Sequence, residues 1–209
     1  MTEQLSPSQT RMSADARREQ LLDVTIEIVG EHGFPAVSIQ SVARRAGISR
    51  PIVYEHFGDL AGLLTALVER ETARALAQVS ETELGDLSSG DPTELMLDSL
   101  GSYLDAVEQH PATWRLVLMA PEGAPELLRT TIASGRAAVL NKLTRAVDPG
   151  SAPAEQAPDP ELTARLLSAI ADEYARLLLT DPARYPRARL LAHARWYLDH
   201  VAPGADAGG

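Results

Sequence analysis

Apolar residues recur at three- and four-residue steps along almost the whole chain, and no stretch alternates strictly between apolar and polar positions. The first spacing places apolar side chains on one face of an α-helix, whereas strict alternation is typical of a β-strand. Glycines and prolines separate the periodic segments, as they do at helix ends. We therefore expect an all-α fold of amphipathic helices.

Residues before and within the first apolar stripes indicate where the early helices begin and end. Ser13 can cap a first helix that carries an apolar stripe from Leu21 to Val29, and Gly33 can end it. Another long helix is expected from about Leu60 to Ser80, before the breaker-rich segment GDLSSGDP.

The remaining segments predict further helices and one linker. Helices are expected in TELMLDSLGSYLDAVEQH, ATWRLVLMA and PELLRTTIASGRAAVLNKLTRAV, with boundaries at Pro111 and Pro121. Residues 148–160 contain four prolines in thirteen positions, which predicts a mobile surface linker. Two amphipathic helices follow, over residues 161–180 and 186–201, and residues 1–12 and 202–209 are interpreted as disordered tails.

Residues 37–57 place three arginines and one acidic residue in a chain whose formal net charge is −10. Ser38 can cap a short helix that ends at Gly47, and Ser49 can cap a second helix after a three-residue turn. Pro51 falls in the first turn of that second helix, where its missing amide hydrogen costs no internal bond. The segment predicts a helix-turn-helix.

The outward face of the second helix suits the DNA major groove, because Val53 and Phe57 turn inward and leave polar and small apolar groups outside. Ile52 can contact a thymine methyl group, and Arg50 can contact a guanine or a phosphate. Neighbouring residues can position the motif on the DNA backbone. The candidate DNA-binding residues are Ser38, Gln40, Arg44, Arg45, Ser49, Arg50, Pro51, Ile52, Tyr54, Glu55 and His56.

Several of these residues have a second interpretation. Arg44 and Arg45 can be ordinary solvated helix residues instead of a source of positive potential for DNA. Tyr54 can pack against its own domain while its hydroxyl group contacts a phosphate. Glu55 can accept a hydrogen bond from cytosine, or it can repel the phosphate backbone of DNA and so enforce sequence specificity.

The segment VSIQSVARRAGISRPIVYEHFGDLAGLL, after a first helix ending in EHG, resembles the tetracycline-repressor (TetR) family of bacterial regulators. The match covers roughly residues 13–68 and includes Val42-Ala43, the turn Ala46-Gly47-Ile48-Ser49, and Tyr54 with Phe57. The resemblance implies a homodimer with an N-terminal three-helix DNA-binding domain and a larger C-terminal domain that holds the dimer contact and an effector pocket.

One position departs from the family pattern. The family usually has a lysine at the start of the fourth helix, able to touch a phosphate, and this chain has Leu60 there. We expect that contact to be lost, whereas Asp59 can still cap the helix. The expected domains are residues 13–58 for DNA binding and 59–201 for effector binding and dimerisation.

Two sets of residues in the second domain are candidates for the remaining functions. Apolar and aromatic side chains on successive helices can line a ligand pocket or simply pack in the core. The pocket candidates are Tyr103, Trp114, Leu118, Met119 and Tyr174, with Trp114 and Met119 foremost. A four-helix bundle from the last two helices of two chains is the expected dimer contact, through Leu166, Ile170, Leu177, Ala194 and Tyr197.

Charge and composition limit the class of protein. Residues 1–70 hold seven arginines and nine acidic residues, so most of the acidity lies in residues 71–209. A pI of about 4.9 argues against a generic nucleic-acid binder but not against a localised reader. The absence of cysteine favours a reducing cytoplasm, and no apolar run reaches the ~18 residues that a bilayer requires, so we expect no membrane partner.

Motifs for catalysis are missing from the sequence. The five histidines lack metal-ligand spacing, and there is no phosphate loop or nucleophile motif, so we expect no enzyme, cofactor or metal. The expected function is a transcriptional regulator that binds double-stranded DNA at an inverted-repeat operator as a homodimer. We expect a repressor that a small hydrophobic effector releases; the alternatives are a TetR-type activator and a helical protein-interaction adaptor.

Overall fold

The computed structural model describes residues 12–81, 91–119, 126–148 and 159–200. Over these residues the chain forms α-helices and one 3-10 turn, Phe34–Ala36, and no β-strand, which confirms the all-α prediction. The helices are α1 (Ala14–His32), α2 (Ile39–Ala46), α3 (Arg50–Phe57), α4 (Leu60–Glu81), α5 (Pro92–Gln109), α6 (Pro111–Leu118), α7 (Glu126–Ala146), α8 (Pro160–Thr180) and α9 (Arg187–His200).

Some expectations concern residues outside this description. They are the two terminal tails apart from residue 12, most of the breaker-rich segment before α5, the boundary at Pro121, and the central part of the proline-rich linker. None of the helices among the described residues is long and apolar enough to cross a membrane.

The chain divides into two compact units, one up to Leu67 and one from Val68 onward. The division lies inside α4, whereas the sequence pattern places the domain boundary between residues 58 and 59. Each unit has an apolar core of its own.

Local capping residues set the helix ends of the first unit. The side chain of Ser13 accepts a hydrogen bond from the amide of Ala16 at 3.1 Å, so it caps α1 as predicted. Gly33 ends α1 with φ of 76°, a value that side chains rarely allow. The buried residues of α1 include Leu21, Leu22, Ile26, Ile28 and Val29, which is the predicted apolar stripe.

The junction between α3 and α4 is tight. Gly58 has φ of 76°, and the carboxylate of Asp59 accepts a hydrogen bond from the amide of Gly62 at 2.7 Å, which confirms Asp59 as a cap. A Cβ atom at Gly62 would overlap the backbone oxygen of Phe57. Glycine at position 62 therefore allows the first turn of α4 to approach the end of α3. Leu60 opens α4 and is partly exposed.

The second unit packs α5, α6, α8 and α9 around a common apolar core that includes Leu104 and Trp114. Two ion pairs join α5 to α9. Arg187 Nε lies 2.6 Å from Asp105 Oδ1, and Arg195 Nη1 lies 2.5 Å from Glu94 Oε1. Both pairs are at least one-third exposed, so they add little to the apolar packing that holds the two helices together.

A buried carboxylate links α4 to α6. Glu71 is fully buried; it accepts a hydrogen bond from Arg70 Nε at 2.7 Å and another from the hydroxyl group of Thr113. A buried charge without partners is costly, so these donors are needed to keep Glu71 inside. The bond from Thr113 thereby holds the first turns of α6, which carry Trp114, against α4.

Candidate DNA-binding surface and ligand cavity

Short-range hydrogen bonds shape the predicted helix-turn-helix. The hydroxyl group of Ser38 accepts from the amide of Ser41 at 3.0 Å, and the hydroxyl group of Ser41 accepts from the amide of Ser38 at 2.8 Å. This reciprocal pair is a capping box at the start of α2. Gly47 ends α2 in the left-handed conformation, with φ of 68°, as predicted.

The cap at the start of α3 differs from the expectation. Ser49 occupies the N-cap position with extended backbone angles, but its side chain makes no capping hydrogen bond. Pro51 in the first turn already presets the backbone there, so α3 begins without that bond. The hydroxyl group of Ser49 is therefore not engaged by its own helix, and the residue is exposed.

The structure separates the inward and outward faces of α3 as the sequence predicts. Val53 and Phe57 are buried, at 0% and 9% exposure. On the outward face of α3, Ile52 and His56 are partly buried. The exposed candidates on α2, the turn and α3 are Ser38, Gln40, Arg44, Arg45, Ser49, Arg50, Pro51, Tyr54 and Glu55.

Arg44 and Arg45, adjacent in sequence, have different surroundings. Arg45 forms a double ion pair with Glu31 of α1, at 2.5 and 2.6 Å, and its Nε lies 3.3 Å from Glu27. The two carboxylates offset its charge in the free protein, and the contact of Arg45 with DNA stays a prediction. Arg44 and Arg50 are exposed and have no ion-pair partner within the described ranges of the chain.

One residue that supports α3 has no signal in the helix-turn-helix motif. Arg18, on α1, donates a hydrogen bond from Nη1 to the backbone oxygen of His56 at 2.9 Å, and its guanidinium lies 4.6 Å from the centroid of the Phe57 ring. An arginine on the polar side of α1 gives no indication in the sequence of which helix end it reaches. It holds the last turn of α3 against α1.

The second unit contains a cavity of about 220 Å³ with a mainly apolar lining, to which helices α4 to α9 all contribute. Four of the five predicted pocket residues line it, namely Tyr103, Trp114, Leu118 and Tyr174. Met119 does not line the cavity. It lies just after the end of α6 and is 45% exposed. The expectation for Met119 is wrong because this residue is the C-cap of α6 and lies one turn after the exposed Arg115, on a different side of the helix from Trp114.

The aromatic wall of the cavity is fixed by specific contacts. Trp114 is 3% exposed, and its Nε1 donates to Gln78 Oε1 at 2.9 Å. The Tyr103 ring packs edge-on against Trp114, with centroids 5.0 Å apart. Elsewhere in the lining, the hydroxyl group of Tyr174 lies 2.7 Å from Nδ1 of His193. The rings are therefore held in place before any ligand enters.

A polar cluster around Asp172 interrupts this mainly apolar lining, and no motif in the sequence indicates it. The Tyr103 hydroxyl group donates to Asp172 Oδ1 at 3.3 Å, and Arg136 Nη2 lies 3.2 Å from Asp172 Oδ2. Burial raises the pKa of Asp172, while Arg136 and Arg176 oppose that rise. Burial, together with the charge of Asp172, also raises the pKa of Tyr103.

The predicted pocket residues include none from α7, although this helix forms one wall of the cavity. Ile132, Val139 and Leu143 face the cavity together with Arg136. Their spacing over almost three turns is the available signal, because residues three, four and seven apart share one helix face.

The predicted dimer residues occupy different environments. Leu166 on α8 is 66% exposed, and Leu162, one turn earlier on the same face, is 59% exposed. Ile170 and Tyr197 line the cavity, and Leu177 packs partly buried against the core. Ala194 is buried in the core of its own chain, so its side chain is not available to a partner and the expectation for it is wrong. On α9, Trp196 is 52% exposed.

A helix-turn-helix whose second helix carries an exposed arginine, followed by a unit whose described residues form helices around an apolar cavity, defines the class of helix-turn-helix transcriptional regulators. The family model of bacterial regulatory proteins of the tetR family matches residues 21–67, and that of the tetracyclin repressor-like C-terminal domain matches residues 92–204. The chain belongs to the tetracycline-repressor family.

Individual relatives are more distant. The chain is 34% identical to the HTH-type transcriptional regulator BetI of Yersinia pestis (strain Pestoides F) over 116 residues, 54% of this chain and 58% of that protein. It is 26% identical to the HTH-type transcriptional activator FasR of Mycolicibacterium smegmatis over 107 residues, 51% of this chain and 48% of that protein. The chain thus spans about half the length of the curated relatives it matches.

Similarity to solved structures extends over more of the chain. A TetR-like transcriptional regulator from Rhodococcus sp. RHA1 superposes with a TM-score of 0.68 at 22% identity, covering 90% of this chain and 97% of that one. At this identity the likeness shows the fold.

Proposed function

We propose that the protein is a dimeric, sequence-specific DNA-binding repressor that a small apolar ligand releases from its operator. The observation that carries the proposal is the apolar cavity in the second unit of a chain whose first unit is a helix-turn-helix. Ligand pockets are mostly apolar, with a few polar groups that fix orientation, and this cavity has that composition.

DNA reading is assigned to α3, the recognition helix. Arg50 lies at its N-terminal end and Tyr54 one turn later is 50% exposed, so both side chains can reach a major groove into which α3 enters. Arg50 is the candidate for a base contact, and Tyr54 for a phosphate contact. Arg44 on α2, which has no acidic partner among the described residues, supplies sequence-independent attraction.

Dimerisation is assigned to the exposed apolar residues of α8 and α9, namely Leu162, Leu166 and Trp196. Exposed large apolar side chains at one-turn spacing are typical of a helix face that a partner covers. Two copies of α8 and α9 would form a four-helix bundle. Two recognition helices related by a two-fold axis read half-sites about 34–36 Å apart, which calls for an inverted-repeat operator.

Coupling between ligand and DNA is assigned to α4. This helix begins at Leu60, shortly after α3 ends, and its later residues Thr72, Ala75 and Leu76 line the cavity. A ligand that displaces the cavity part of α4 would change the spacing of the recognition helices. Release then requires that the ligand bind the DNA-incompetent arrangement more tightly than the DNA-competent one.

The test combines a genomic DNA pull-down with gel shifts on the recovered fragments. We expect an inverted repeat whose binding weakens when hydrophobic compounds enter the cavity. With Trp196 replaced by Phe, Trp114 alone reports cavity occupancy by fluorescence. A compound that saturates the Trp114 signal but leaves operator affinity unchanged would contradict the release mechanism.

A second candidate is an activator of the same architecture. It is favoured by one relative, FasR, whose name describes a transcriptional activator. A promoter-reporter fusion distinguishes the two, because deleting the operator should raise expression under repression and lower it under activation. We favour repression because blocking a promoter requires no specific contact with RNA polymerase.

A further inference from the structure

Within the described part of the chain, a single carboxylate lines the ligand cavity. It belongs to Asp172 of α8, whose side chain is 19% exposed. The other charged lining residues in the same part of the chain are Arg136 and Lys142 of α7. A ligand that fills this cavity therefore places part of its surface against one partly buried acid and two bases.

The hydrogen-bonding capacity of Asp172 is only partly used. An ionised carboxylate offers about four acceptor sites. The Tyr103 hydroxyl group is the hydrogen-bond donor that the described residues supply, at 3.3 Å. Arg136 Nη2 and Arg176 Nη2 contribute charge at 3.2 and 3.7 Å from Oδ2. Acceptor sites therefore remain for a donor that comes from the cavity.

The charges around this carboxylate disfavour a charged ligand head. A cationic head next to Asp172 would also meet the like charges of Arg136 and Arg176, which already compensate the acid. An anionic head would be repelled by Asp172 and would have to displace it from Arg136. A neutral donor avoids both costs, because it uses the open acceptor sites and leaves the ion pairs intact.

We infer that the cavity takes a neutral, mainly apolar molecule with a hydroxyl group, and that this hydroxyl group donates a hydrogen bond to Asp172. The inference rests on the proposed function, because it assigns a chemical class to the effector of the same cavity. The Tyr103 hydroxyl group, which donates to Oδ1 of the same carboxylate, orients Asp172 for this bond.

Three probes with the same apolar chain length and different heads test the inference: 1-octanol, octanoate and octylammonium. Each is titrated into the wild-type protein by calorimetry, 1-octanol below its solubility limit and the two ionic probes below their critical micelle concentrations. We expect 1-octanol to bind at least about tenfold more tightly than either charged probe, because its neutral hydroxyl group donates to Asp172 and leaves the ion pairs intact, whereas each charged head meets a like charge there.

The chain offers a matched pair of variants. Asp172→Asn should weaken 1-octanol binding by about tenfold, because the amide is a weaker acceptor. Glu173→Gln is the control: it removes the same charge one residue away and also loses a contact with Arg176, 3.2 Å from Glu173, but Glu173 is not part of the lining. Its 1-octanol affinity should stay within about twofold of wild type.

The outcomes distinguish this inference from the proposed function. Tighter binding of octanoate or octylammonium would overturn the inference and leave the cavity as a ligand site. Failure of all three probes to bind a folded protein would overturn both. An equal loss of 1-octanol affinity in Asp172→Asn and Glu173→Gln would also overturn the inference. If Asp172→Asn does not fold, the order of affinities of the three probes for the wild-type protein decides.

Discussion

Arg18 on α1 donates a hydrogen bond to the backbone oxygen of His56, one residue before the end of α3, with 2.9 Å between Nη1 and O. The last carbonyl groups of a helix lack partners within the helix, and a positive charge near them is favourable. The same guanidinium packs over the Phe57 ring. Arg18 therefore fixes the C-terminal end of α3, the proposed recognition helix, from outside the face that we propose reads DNA.

Replacing Arg18 tests this positioning role. Arg18→Ala should lower the free energy of unfolding by about 1–2 kcal/mol, from the lost hydrogen bond and cation-π contact. We also expect weaker operator binding by gel shift. Arg17→Ala is the control, because it removes the same charge but loses only a contact with Gln20 on its own helix. Equal operator affinities for the two variants would contradict the assignment.

The second prediction separates Arg44 from Arg45. Arg44→Ala should weaken binding to all DNA sequences alike and reduce the slope of log affinity against log salt by about one. Arg45→Ala removes the same charge but should leave that slope nearly unchanged, because Arg45 is paired with Glu31 and Glu27. A reduced salt slope in Arg45→Ala would show that the ion pair opens when DNA binds.

Acid titration provides an internal check on that pair. The hydrogen bond from Arg45 lowers the pKa of Glu31, so the pair stabilises the fold above the ordinary glutamate pKa and loses this effect as pH falls through the lowered value. The difference in urea midpoint between wild type and Arg45→Ala should therefore shrink between neutral pH and about pH 3. A constant difference would mean that Arg45 stabilises the fold by packing alone.

The third prediction concerns two glycines in helices. Gly62→Ala should destabilise the protein strongly, because the added Cβ atom would overlap the backbone oxygen of Phe57, which cannot move without shifting α3. Gly30 in α1 has nothing within 4 Å of the position that an alanine Cβ atom would occupy, so Gly30→Ala should stabilise the helix by up to about 1 kcal/mol. Thermal unfolding of both variants measures the contrast, which similar melting temperatures would refute.

The parts of this fold that depend on neighbouring residues could be predicted from the sequence. Ser13, Ser38 and Gly47 set helix ends through bonds within a few residues, and the inward positions Val53 and Phe57 follow from the helical repeat. These relationships need no knowledge of how the helices pack.

Contacts between distant segments could not be predicted in the same way. The partners of Arg45 lie on α1, and Asp172 contacts Arg136 on α7, so no local pattern identifies these pairs. The prediction that Met119 lines the cavity is wrong because the apolar run in the sequence continues past the residue at which α6 ends. The prediction that Ala194 lies in the dimer contact is wrong because a small apolar residue does not indicate whether its helix face packs against its own core or against a partner.

The fourth prediction tests the dimer surface. Leu166→Asp should convert the dimer to a folded monomer in ultracentrifugation, because it places a charge on an exposed residue that a partner would bury. Its circular dichroism spectrum should remain helical. Leu127→Asp on α7 is the control, since Leu127 is also exposed, at 40%, but lies on a helix outside the proposed bundle. Retention of the dimer in Leu166→Asp would exclude this face.

The last prediction is the pH dependence of 1-octanol binding. Burial raises the pKa of Asp172, against the opposing effect of Arg136 and Arg176, so this carboxylate takes up a proton at higher pH than an exposed aspartate does. A ligand hydroxyl group that donates to Asp172 favours the charged form, and affinity should therefore fall as pH decreases through that raised pKa. Calorimetry between about pH 4 and 7 measures the trend, and it should disappear in Asp172→Asn but persist in Glu173→Gln. Tighter binding at acid pH would instead indicate that protonated Asp172 donates the hydrogen bond to an acceptor on the ligand.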